Sequence, residues 1–118
     1  MLRITRYPDL EVLVVDNGSD DPATLRFLAG LEQQGKIRVL RDPSPFNYSA
    51  LNNKAVEQAT GALVCLLNND IEVVEPDWLE ALVVQALRPG VGAVGARLLY
   101  PDRTLQHAGV LLLSLIHI

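Results

Sequence analysis

The chain has 118 residues, 49% of them hydrophobic, and a formal net charge of -4 from ten basic and fourteen acidic side chains. This supplies enough apolar material for one soluble domain and excludes a disordered chain. The scattered basic residues exclude the clustered positive footprint of a nucleic-acid binder.

A single cysteine, Cys65, excludes an internal disulfide, and within the run ALVCLL it reads as a small buried hydrophobe. No apolar stretch reaches the roughly 20 residues of a membrane span, and the N-terminal MLRITRYPDLE lacks a signal-peptide core, so the reducing cytoplasm is the expected compartment.

In chain order, LEVLVVD (10–16) is a β-branched run of the kind that forms a strand buried on both faces of a parallel sheet. NGSDDP breaks it. Asp20 or Asp21 can cap a helix with Pro22 in its first turn; Leu25, Leu28 and Leu31 give that helix an apolar stripe, and Gly35 ends it. KIRVLRD (36–42) is the second expected strand. The polar loop PSPFNYS leads into a helix from about Ser49 to Thr60, with Leu51, Ala55, Val56 and Ala59 facing inward. ALVCLLN (62–68) is the third expected strand. Pro76 opens a helix whose buried face is Trp78, Leu79, Leu82, Val83 and Ala86, closed by RPG (88–90). VGAVGARLLY (91–100) gives a fourth strand and PDRT (101–104) a hairpin turn.

Alternating strands and helices describe an open α/β sheet, and ligands of such sheets sit beyond the carboxyl ends of the strands. Those ends carry Asp16 with Asn17, Gly18 and Ser19 on one strand, and Asn68, Asn69 and Asp70 on another. Each group also fits an ordinary turn. Asp70 alone is too little for a Ca²⁺ cage, but Mg²⁺ or Mn²⁺ takes one or two protein carboxylates and completes its shell with water and substrate phosphates, with Asn68 and Asn69 nearby for hydrogen bonds. Neither G-x-G-x-x-G nor G-x-x-x-x-G-K-[ST] occurs, so phosphates would fall to helix ends and amides. Asn52, Asn53 and Lys54 are placed for this at the start of the second helix, or are simply its solvated first turn. His107 reads as a packed or surface residue.

The segments YPDLEVLVVDNGSDD, FNYSALNNKAVEQATGALVCLLNNDIEVVEPDWLEAL and GVGAVGARLLYPDRTLQHAGV, in that order over residues 7–112, closely resemble family 2 glycosyltransferases, especially the O-antigen and rhamnosyl transferase branch. The resemblance implies a GT-A fold, an α/β domain that transfers a sugar with inversion from a nucleotide-diphosphate-sugar donor to a saccharide or lipid-linked acceptor. Asp16 matches the family acid that contacts the donor's base or ribose, and Asn17, Ser19, Asn53, Asn68 and Asn69 join it as donor-binding residues. Asn68 and Asp70 match the ends of the D-x-D motif, so Asp70 is the implied ligand of Mg²⁺ or Mn²⁺; Asn68, standing where the motif has Asp, is uncharged.

Beyond Glu80 the only carboxylate is Asp102. The family's general base comes from a later segment, so no catalytic residue is assigned. Residues 1–112 are then the donor-binding part of a longer enzyme working at the inner membrane face in cell-surface polysaccharide synthesis, and 113–118 read as a non-native tail. In the family a further strand lies between those matching 10–16 and 62–68. Without it, backbone groups at two edges lose partners at about 1–3 kcal/mol each if kept dry, so the chain alone is expected to fold poorly or associate. A phosphoacceptor receiver module is the rival class, but it needs a lysine on its last strand, and Lys36 and Lys54, the only lysines, both precede Asp70. A nucleotide-binding chain without turnover is the third reading.

Overall fold

The computed structural model describes residues 4–109. They divide into two units, Pro8–Ile71 and the residues up to Tyr7 together with those from Glu72 onward.

In the Pro8–Ile71 unit, the apolar run after Glu11 forms strand β1 (Leu13–Asp16), and the run after Ile37 forms strand β2 (Arg38–Arg41). They pair in parallel, with Leu13 opposite Arg38 and Asp16 opposite Arg41. A parallel pair needs a long crossover, which helix α1 (Pro22–Gln33) provides. Its N-cap is Asp21, whose carboxylate accepts from the Thr24 amide at 2.8 Å, with Pro22 in the first turn. Beyond its end, Gly35 takes a φ of +66°, a conformation glycine adopts without a steric penalty. Leu25, Leu28 and Leu31 are half-buried along one side, and α1 lies against β2.

Helix α2 (Tyr48–Gln58) is capped by Asn47, whose side-chain oxygen accepts from the Ala50 amide at 3.0 Å, and it lies against β1. Leu51 and Ile37 are the buried apolar residues of this unit. Val56, expected to face inward, is exposed. Past the end of α2, the Glu11 carboxylate accepts from the Thr60 amide and hydroxyl at 2.9 Å each and pairs with Arg38 at 3.3 Å. This pins the end of α2 to the start of the strands, so its first turn stands at their carboxyl ends.

The expected third strand does not form. Residues 62–68 are irregular, and Leu63, Val64, Leu66 and Leu67 are 40–54% exposed. A strand exists only by hydrogen bonding to a neighbour; among the described residues β1 pairs with β2 alone. Cys65, expected to be buried, is exposed for the same reason.

In the other unit, helix α3 (Trp78–Ala86) starts two residues after Pro76 and buries Leu79, with Trp78, Leu82, Val83 and Ala86 half-buried as expected. The Trp78 indole N–H donates to the Thr5 hydroxyl at 3.0 Å, and the Arg6 amide to the Pro76 carbonyl at 2.8 Å. Val73 completes the buried apolar set. Of the expected fourth strand only β3 (Leu98–Leu99) forms, paired antiparallel with β4 (Leu105–His107). The turn between them is the expected one, with Asp102 accepting from the Thr104 amide at 2.9 Å.

The α/β class therefore holds, as a parallel strand pair flanked by helices, while among the described residues the four-stranded open sheet is reduced to two two-stranded sheets. The segment 113–118, read as a tail, lies outside the described residues.

Candidate functional site

Asp16 ends β1 directly opposite Arg41, the last residue of β2, and this register sets their side chains against each other: Arg41 Nη1 lies 2.7 Å from Asp16 Oδ2. The other oxygen, Oδ1, accepts from the Ser19 amide at 3.0 Å, closing the loop after β1 as an Asx-type turn. Gly18 within that loop has a φ of +80°. Asp16 is the one buried charged residue among those described, at 4% exposure. Hydrogen bonds from Ser19, and then the Arg41 guanidinium, hold its carboxyl below the ordinary carboxylate range.

Asn17 follows, half-buried. Its side-chain amide donates to the Asp42 carbonyl at 2.7 Å and to the Ser44 carbonyl at 2.8 Å. The Asp42 amide in turn donates to the Asp16 carbonyl at 2.9 Å, carrying the parallel ladder one residue past β2. The Asp42 carboxylate accepts from the Ser44 amide at 2.9 Å and from the Ser44 hydroxyl, and pairs with the Lys54 ammonium on α2. Lys54 first, then Ser44, holds the Asp42 carboxyl far below its ordinary range. A cavity of about 220 Å³ opens here, with Val15, Val39 and Leu51 as apolar walls and Arg41, Asp42 and Lys54 as charged ones.

Sequence reasoning missed Asp42 and Arg41. Asp42 ends the expected second strand, 36–42, as Asp16 ends the first, and that shared place at a strand's carboxyl end was the available signal. The trio expected at the start of the second helix lies further along it. Because α2 begins at Tyr48, Asn52, Asn53 and Lys54 fall in its second turn, beyond the orphan amides of the first. Asn52 donates to the Tyr48 carbonyl at 2.8 Å, Lys54 is taken by Asp42, and Asn53 is exposed.

Asn68, Asn69 and Asp70 lie in the same unit on an exposed turn, and among the described residues no hydrogen bond or ion pair joins them to the network around Asp16. The described residues hold no cluster of three or more acidic, histidine or cysteine side chains suited to a metal ion. The donor set at Asp70 is thus one free carboxylate with two neighbouring amides, which fits an ion that takes most of its ligands from water and phosphates.

The sequence profile of glycosyl transferase family 2 matches residues 2–111. The chain belongs to that family. Among the relatives of this family 2 domain, the uncharacterized protein y4gI of Sinorhizobium fredii (strain NBRC 101917 / NGR234) is 54% identical over 109 residues, 92% of this chain and 12% of that protein. The O-antigen biosynthesis protein RfbC of Myxococcus xanthus is 52% identical over 110 residues, 93% of this chain and 8% of that one. Proteins named putative glycosyltransferases in Mycobacterium tuberculosis (strain CDC 1551 / Oshkosh) are represented by one 30% identical over 87 residues, 74% of this chain and 25% of the relative. The chain thus spans between 8% and 25% of the length of these relatives. No solved structure matches it significantly. Among the described residues no helix is long and apolar enough to cross a membrane.

Proposed function

We propose that this chain is the donor-binding part of an inverting glycosyltransferase that uses a nucleotide-diphosphate sugar and acts in cell-surface polysaccharide synthesis of the O-antigen or rhamnosyl type. The observation that carries the reading is the joined network at the carboxyl ends of β1 and β2, where an α/β sheet receives its ligands, within a domain of family 2. A relative 52% identical bears an O-antigen biosynthesis name, which supports the pathway class. The acceptor is a saccharide or a lipid-linked saccharide, met at the inner membrane face.

Asp16, Asn17 and Ser19 hold the donor's nucleoside side, with Asn53, Asn68 and Asn69 adding amides. Asp70 is the residue that would hold Mg²⁺ or Mn²⁺, and the ion would supply Lewis-acid stabilisation to the departing diphosphate. Asp102 is committed to the hairpin turn through Thr104, and the base that deprotonates the acceptor hydroxyl is assigned, as the family resemblance implies, to a later segment.

The test is calorimetric titration of the intact protein with UDP, dTDP, GDP and ADP, with and without Mn²⁺, followed by turnover of the matching nucleotide sugars. One nucleotide binding more tightly with Mn²⁺, and losing that increment in Asp70→Ala, supports the reading. An unchanged metal increment in Asp70→Ala removes Asp70 from the metal site. Nucleotide binding without any transfer would favour the non-catalytic reading.

A further inference from the structure

Asn17 stands at the point where the loop after β1 takes hold of the loop after β2, and its amide has two hydrogens to give. Both are given to main-chain carbonyls, those of Asp42 and Ser44, at 2.7 and 2.8 Å. Between these two residues lies Pro43, which has no N–H of its own. The carbonyls receive no other hydrogen bond among the described residues, so the half-buried Asn17 supplies what the local chain does not. The held loop carries consequences outward: Asp42 grips Lys54 of α2, and Asn47 at the end of the loop caps that helix.

We propose that Asn17 is a positioning residue, which fixes residues 42–47 and, through the Asp42–Lys54 pair and the Asn47 cap, helix α2, so that the rim of the site is formed before a nucleotide arrives. This rests on the nucleotide-sugar reading and refines it: Asn17 acts on the donor through the second loop, while Asp16 and Ser19 remain on the donor's side. Preforming the rim spares the bound state the entropy of ordering a Pro-containing loop.

The two ends of one amide separate this role from direct contact. A donor contact at Asn17 would use the free Oδ1, since both N–H groups are spent. Asn17→Asp keeps the size and the acceptor, but it loses both donors and turns a carboxylate toward two carbonyls. Asn17→Gln keeps both donors on a stem one methylene longer.

The experiment is amide hydrogen exchange on the intact protein and on Asn17→Ala, Asn17→Asp and Asn17→Gln, together with titration by the four nucleoside diphosphates. Positioning predicts that Ala and Asp each raise exchange in 42–47 and weaken nucleotide binding by about tenfold, the order that two neutral hydrogen bonds carry, and that Gln recovers a large part of both. Asn17→Asp within about twofold of the parent in exchange or in binding overturns the proposal, as does increased exchange spread over the whole chain. If the parent binds none of the nucleotides, the donor reading fails on its own, and exchange with rescue by Gln still decides whether Asn17 holds the loop.

Discussion

Removing the Arg41 side chain tests the electrostatics of the strand ends. Asp16 has a side chain 2% exposed, whereas that of Arg41 is 54% exposed, and their atoms meet at 2.7 Å. An exposed pair contributes about 0–1 kcal/mol, and stripping the partner from a fully buried charge costs about 3–5 kcal/mol. This pair lies between those limits. In Arg41→Ala the buried carboxylate keeps the Ser19 amide but loses its counter-charge, a loss of about 2 kcal/mol from the buried side of the pair. Asp16→Asn should cost less, about 1 kcal/mol, because its carbonyl can still accept from Ser19 and the freed guanidinium is solvated. Equilibrium urea unfolding of the intact protein at pH 7, read as midpoint shifts at constant m, measures both. A loss below about 0.5 kcal/mol in Arg41→Ala, or a larger loss in Asp16→Asn than in Arg41→Ala, would refute the reasoning.

Asn47→Ala removes the cap of α2 and should lower stability by about 1 kcal/mol in the same assay, with Asn47→Asp retaining most of it. Acid should weaken the strand-end network: Asp16 and Asp42 carry folded pKa values below their unfolded ones, so the unfolded chain binds more protons, and their contribution is complete above about pH 4–5 and lost as pH falls further. A stability curve flat down to pH 2 would contradict this. In the isolated 118-residue chain, the exposed run around Cys65 should make light scattering rise with concentration and let a maleimide label Cys65 without denaturant; a monomer resistant to labelling would show that the run is covered.

Much of the architecture was legible because its signals are local. Asp21 followed by Pro22 announces a capped helix from four residues of context, the spacing of Trp78, Leu79, Leu82, Val83 and Ala86 marks one helical face, and PDRT forms the turn its composition requires. Residues 62–68 escape the same reading for the converse reason: Leu and Val describe what a strand prefers, but pairing is a property of two segments, and no described segment pairs with this one. The strand-end acid Asp16 was visible. Its binding to Arg41 was not, since it depends on a register that places residues 25 apart opposite each other. For Asn17, sequence showed an amide at the right strand end but not where its hydrogens go, and Asp42 was visible as the last residue of the second expected strand but not as the partner of Lys54.

The grip of Asn17 on the Pro43 loop has a consequence for how this domain can drift over time. Position 17 is tied to positions 42 and 44, 25 and 27 residues away, by two hydrogen bonds from one side chain, so the two loops should change as a unit. A lineage that exchanges Asn17 for a residue without two hydrogens to give must also rebuild the second loop, by shortening it or by bringing another donor to the Asp42 and Ser44 carbonyls. Changes on one side alone should be purged, and the two loops should turn over together.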